Sequence, residues 1–151
     1  MIQYPDYLPC FERQGYDMQT ASPLLRSTMQ SGRSRQRRQY LSTPTYVTAS
    51  VTMSDAQAQL FKAWWDEVLI SGSLSFECQL KTDLGVRLYR ARFTDIYQGP
   101  ELVGRSSWRF RCPLELIERP VLPPGWVTVA PEYILGSDLL DIAMNEKWPR
   151  A

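Results

Sequence analysis

Between Val47 and Leu69 the spacing of apolar residues changes from two to roughly 3.6, and that change constrains the fold of this chain more than any other feature. Val47, Ala49, Val51 and Met53 alternate with Thr48, Ser50 and Thr52. A β-strand turns such a pattern into one apolar face and one hydroxyl face. Ser54 follows at once, with Asp55 next and Gln57 three residues on. Ser and Gln at this spacing predict a capping box, and an acid in the first turn suits the positive end of the helix dipole. The expected helix covers about 54–69. Its apolar stripe is Ala56, Leu60, Trp64 and Val68, flanked by Phe61, Trp65 and Leu69, while Lys62, Asp66 and Glu67 fall away from the centre. Gly72 then opens a turn.

Three more stretches alternate like strands: Leu74–Leu80, Val86–Tyr97 and Ser107–Glu118. Tyr89, Ala91 and Phe93 oppose Arg90 and Arg92, and Trp108, Phe110, Cys112, Leu114 and Leu116 oppose Arg109, Arg111 and Glu115. The polar connections Lys81–Gly85 and Gln98–Ser106 suit antiparallel hairpins. Pro113 donates no ladder hydrogen bond, so the last strand is expected at an edge or bulged. The fold class that follows is α+β: a mainly antiparallel β-sandwich or small barrel with one flanking amphipathic helix.

Around this domain, placed at 24–118, lie two appendages. Residues 1–23 read as an extended arm without helical or strand periodicity. Its rings, including Tyr4, Tyr7, Phe11 and Tyr16, need a surface to pack on, either their own core or a neighbouring subunit. Residues 119–151 begin as a proline-rich linker. They end in a short helix expected from Asp138 to Glu146, capped by Ser137. Trp126, Leu139, Leu140 and Ile142 are the docking candidates of this tail.

The sequence contains no histidine. That removes Ser-His-Asp and Cys-His nucleophilic sites and imidazole metal ligands together. Cys10, Cys78 and Cys112 are far apart and form no zinc-type pair. Cys78 and Cys112 fall on apolar strand faces, where a thiol acts as a small core filler. No cofactor, metal or nucleotide-phosphate motif is present. No signal peptide or run of about 20 apolar residues is found either, so no membrane anchor is expected and the chain reads as soluble when made.

Charge is nearly balanced, at +1, but locally concentrated. Residues 26–38 carry Arg26, Arg33, Arg35, Arg37 and Arg38 with no acid, a local charge of +5. The segment 31–38 reads as a solvated loop or hairpin tip after a short strand at 24–29. Its planar guanidiniums suit phosphate, so nucleic-acid binding through Arg33–Arg38 is one reading, and carboxylates of a neighbouring subunit are another. A second set, Arg87, Arg90, Arg92, Arg105, Arg109 and Arg111, is interleaved with acids, and cross-strand pairing on an exposed sheet face accounts for it. A small hydrolase would need two carboxylates converging in a cleft.

The order of "YPDYLPCFERQGY", "SGRSRQRRQY", "VTASVTMSDAQAQLFKAWWDEVLISGSLSFECQL", "YRARFTDIY" and "SSWRFRCPLELIERPVL" resembles tail-module proteins of tailed bacteriophages. The likeness is to the tail-tube and distal-tail type of β-sandwich, and it covers about residues 1–122. It implies a non-enzymatic virion component of the tail or neck, made in the host cytoplasm. Such a component forms a homo-oligomeric ring around a channel and docks other tail or neck proteins, with the arginines lining the channel against DNA in transit or reaching an adjacent ring. A strongly basic channel would retain DNA, so ring-to-ring contact is the favoured role for most of them.

Overall fold

A computed structural model describes residues 1–138. The chain divides into two compact units, Met1–Pro120 and Val121–Ala151. In the first, the strands are β1 (Ile2–Gln3), β2 (Glu12–Thr20), β3 (Leu24–Thr28), β4 (Ser34–Arg38), β5 (Thr45–Ser54), β6 (Phe76–Thr82), β7 (Gly85–Phe93), β8 (Gln98–Val103) and β9 (Ser107–Leu116). Between β5 and β6 lies helix α1 (Asp55–Ala63), continued by a π turn (Trp64–Val68). Seven strands form one sheet in the order β1-β6-β7-β9-β5-β2, with β8 also on β9, while β3 and β4 form a separate ribbon. Every neighbouring pair is antiparallel except β1 with β6. The fold is therefore α+β, mainly antiparallel.

The alternation seen in the sequence places the core. Val47, Ala49, Val51 and Met53 of β5 lie opposite Leu114, Cys112, Phe110 and Trp108 of β9. Phe76, Cys78 and Leu80 of β6 and Tyr89, Ala91 and Phe93 of β7 continue the same buried face. Onto this face pack the helix aromatics, with Phe61 at 5.0 Å from Phe110 and Trp64 edge-on to Phe76 at 5.2 Å. Each fully buried large side chain contributes about 1.5–3 kcal/mol of transfer free energy.

The capping box forms as its spacing dictates: Gln57 N–H donates to the Ser54 hydroxyl, and the Ser54 N–H donates to the Gln57 side-chain oxygen. Asp55 also accepts from the Trp108 indole N–H, tying the first turn to β9. The buried face, however, is Ala58, Phe61, Trp64, Trp65 and Leu69, and Leu60 and Val68 are exposed. The expected stripe through Ala56, Leu60 and Val68 is thus off the buried face. A π turn holds one residue more than an α turn. It carries Leu69 to the position that Val68 would occupy in an uninterrupted α-helix.

Other expectations need correction. Residues 1–23 are no separate arm, since β1 extends the β6 edge and β2 forms the outer strand beside β5. In β2, the five-residue step from Glu12 to Asp17 spans only the two-residue step from Ser50 to Thr48. That bulge destroys the period of two which would have marked a strand. The arginine-rich loop is largely strand β4, paired with β3 from Leu24↔Arg38 to Thr28↔Ser34. The connection Gln98–Ser106 contains β8, which leaves only a short turn before β9.

Pro113 is not at an edge. On one side β9 pairs with β5 throughout; on the other it is shared, β7 taking residues 114–116 and β8 residues 107–111. The Pro113 carbonyl accepts from Thr94 N–H on that shared side, at 3.1 Å. A strand residue points its N–H and C=O the same way, so the missing N–H falls in the handover between β7 and β8.

In the second unit, α2 (Trp126–Val129) follows Gly125, and residues 131–138 are helical. Pro131 stands at the start of that segment, where its lost N–H is harmless. Ser137 is consequently no N-cap; its hydroxyl donates to the Ile134 carbonyl from within the helix. The expected helix beyond residue 138, with Leu139, Leu140 and Ile142, lies outside the described residues.

Candidate interaction surfaces

The ribbon β3–β4 stands apart. Among the described residues no other strand or helix packs substantially on it, and its base is fastened by Gln39 and Tyr40 N–H groups donating to the Pro23 carbonyl. Register puts Leu24, Arg26 and Arg38 on one face and Leu25, Arg35 and Arg37 on the other. Arg26, Arg33, Arg35, Arg37 and Arg38 are all exposed, and among the described residues none makes an ion pair. An isolated two-stranded hairpin is marginally stable in water. Clustered like charges lower that stability further.

The aromatic docking candidates of the N-terminus divide. Tyr4, Phe11 and Tyr16 pack on the chain's own core. Tyr4 lies edge-on to Trp64 at 5.7 Å and donates its hydroxyl to the Pro9 carbonyl. Burial pushes the Tyr4 phenol far above its ordinary value, with smaller contributions from nearby cysteine thiols. Burial also raises Tyr16, to about 12. These three therefore help to complete the chain's own core. Tyr7 remains exposed, and its carbonyl accepts from the Gln57 amide. Trp126 is 44% exposed and lies 6.2 Å from Tyr133.

Of the second arginine set, the outer face of the sheet carries Arg90, Arg92, Arg109 and Arg111, whereas Arg87 lies opposite Leu80 on the core side at the end of β7 and Arg105 lies in the turn between β8 and β9. Arg92 and Glu115 form an ion pair at 2.8 Å, Arg90 is opposite Glu77, and Arg109 is opposite Glu101. A shallow cavity of about 150 Å³ lies among Gln98, Glu101, Arg109 and Arg111. Another, of about 210 Å³, lies between residues 3–11 and β6, with Asp6 and Glu77 in its lining. Among the described residues no group of His, Cys, Asp and Glu is placed to hold a metal ion, and no helix is long and apolar enough to cross a membrane.

The loop after the π turn is a feature that sequence reasoning missed. Ile70, Ser71 and Gly72 have φ of 50°, 52° and 77°. A β-branched residue at positive φ is a true outlier, costing about 1–3 kcal/mol. In that conformation Ile70 is 60% exposed. Beside it a cavity of about 350 Å³ is lined by Trp65, Ser71, Gly72, Thr94, Asp95 and Ile96, among others. The Ser71 hydroxyl donates to Asp66 at 3.5 Å, and Asp66 adds to the burial that raises the Tyr97 phenol. Gly72 signals a turn in the sequence, but nothing marks the two left-handed residues before it. No protein-family model matches the chain, and no curated protein matches it.

Proposed function

We propose that this chain is a non-enzymatic structural subunit that assembles with copies of itself, as its resemblance to tailed-phage tail-module proteins implies. The carrying observation is the β3–β4 ribbon: five exposed arginines on a hairpin that no other strand or helix among the described residues covers. An anionic surface from outside would stabilise such an element by neutralising its clustered charge. Open edges support the same reading. Among the described residues β8 is paired on one side only, with β9, and β3 and β4 only with each other. Exposed edges call for cover, and a neighbouring subunit in a closed ring supplies it.

In this reading the main sheet curls into a small sandwich or barrel. Phe11, Glu12 and Tyr16 share a cavity of about 190 Å³ with Gln79, Leu80 and Lys81, which brings the β2 side towards the β6 edge. The subunit takes its place in a tail or neck, docking neighbouring tail proteins, with DNA passing in the channel. Imaging of the assembled particle by electron microscopy tests this. Rings of the chain around an axial channel are expected; a chain that stays monomeric on its own and on tail scaffolds overturns the proposal.

The same arginines favour one other reading, a nucleic-acid-binding accessory protein. Its DNA affinity would fall steeply with salt, by roughly one power of concentration per phosphate contacted. No binding at low salt disposes of it.

A further inference from the structure

We infer that the β3–β4 ribbon of one copy docks, through its Leu25, Arg35 and Arg37 face, on the strained loop and acidic rim of a second copy around Ile70, Ile96, Asp66 and Asp95. This rests on the self-assembly proposed above and names the surface through which it occurs. Complementarity of charge and of apolar area selects the occupant. The receiving surface has a cavity of about 350 Å³, and none of the described residues that line it is basic. Ile70 and Ile96 stand beside it, 60% and 55% exposed. Asp95 lines it, and Asp66 holds the Ser71 hydroxyl at its margin. The ribbon face presents the reciprocal set: half-buried Leu25 opposite Arg37, with Arg35 next to Arg37 on the same face opposite Ser27, and no acid within the ribbon. Its other face has Arg26 already donating to the Ser34 hydroxyl at 3.0 Å, so Arg35 and Arg37 are the freer pair.

The backbone supports this assignment. A sequence selected only for monomer stability would place Gly or Asn at residue 70, where φ is 50°. Ile in that conformation exposes an apolar side chain at a cost in stability, and contact with a partner recovers the buried area. A ribbon on one surface meeting a loop on another is a heterologous contact, the kind that builds rings when the rotation closes.

Charge exchange tests the surface. Arg35→Glu/Arg37→Glu and Asp66→Arg/Asp95→Arg are prepared as full-length chains, with folding checked by circular dichroism. Sedimentation velocity measures their association alone and mixed. Each variant alone is expected to lose association by on the order of 10- to 100-fold, and the equimolar mixture to regain it by pairing reversed charges. Ile70→Gly should melt at a higher temperature than the parent yet associate more weakly, a combination that a purely structural role for Ile70 does not produce. If the parent chain associates and both charge variants associate equally well, this surface is wrong while self-assembly stands. A parent chain that never associates, neither alone in sedimentation nor on tail scaffolds in the microscope, refutes both. Loss of DNA affinity in Arg35→Glu/Arg37→Glu with association unchanged assigns the ribbon to nucleic acid instead.

Discussion

Replacing Gly72 with alanine tests how the helix is anchored at its C-terminal end. The residue has φ of 77°, and a Cβ built on it would lie 2.7 Å from Nε1 and 2.9 Å from Cε2 and Cζ2 of Trp65. A left-handed conformation costs a non-glycine residue about 1–2 kcal/mol. The collision adds about 1–3 kcal/mol, because Trp65 is only 8% exposed and held edge-on by Phe93 at 6.3 Å and Tyr97 at 5.3 Å. The total is about 2–5 kcal/mol. Gly104, with φ of 72° and nothing within 4 Å of its built Cβ, separates the two contributions. Gly104→Ala should cost only the backbone share, about 1–2 kcal/mol. Urea unfolding followed by tryptophan fluorescence reads the difference. Trp65→Phe combined with Gly72→Ala should recover part of the loss in a double-mutant cycle. Equal midpoints for Gly72→Ala and Gly104→Ala would refute the claim that the indole is wedged against this turn.

Burial pushes the Cys78 and Cys112 thiols up to about 12, from an ordinary 9.0. In the native protein a thiol reagent at mild alkaline pH should therefore label only exposed Cys10, and in denaturant all three cysteines. Above pH 9 the unfolded chain releases these protons while the native chain retains them. Stability is then present in full below pH 9 and declines towards pH 12, by about 1.4 kcal/mol per pH unit for each thiol. A urea midpoint that does not fall between pH 8 and pH 10 contradicts this, both values bracketing that ordinary 9.0. Ser54→Ala removes the capping hydroxyl from the Gln57 N–H. It should cost about 1 kcal/mol in the same unfolding assay, and a loss under a few tenths would mean the cap contributes nothing.

The strands with one buried face were legible because their alternation is uninterrupted. Val47–Met53, Phe76–Leu80, Tyr89–Phe93 and Trp108–Leu116 all lie on the face that the sequence assigns to them. β2 was not legible, because its bulge sets Tyr16 and Met18 inward without a continuous pattern. β4 was hidden for another reason. A ribbon exposed on both faces has no core to impose alternation, so Ser34–Arg38 looks like any polar loop. The helix stripe failed where apolar residues surround the axis on nearly all sides, and the π turn then changed the phase after Trp64. Arg33, Arg35, Arg37 and Arg38 stood out by composition. Their geometry as two faces of a hairpin, and the Ile70–Gly72 loop, depend on backbone conformations that residue identity alone does not specify.

Among the described residues β9 is the only bridge between the two halves of the main sheet, with β5 and then β2 on one flank and β7 and then β6 on the other. Until Ser107–Leu116 leaves the ribosome, a nascent chain holds two disconnected β ribbons, each with an apolar face open to water. Completion of this sheet thus waits for β9 and is dominated by long-range pairing, which is correspondingly slow. The interval before closure is when the chain is most prone to aggregate, and truncation ahead of Ser107 would prolong it indefinitely.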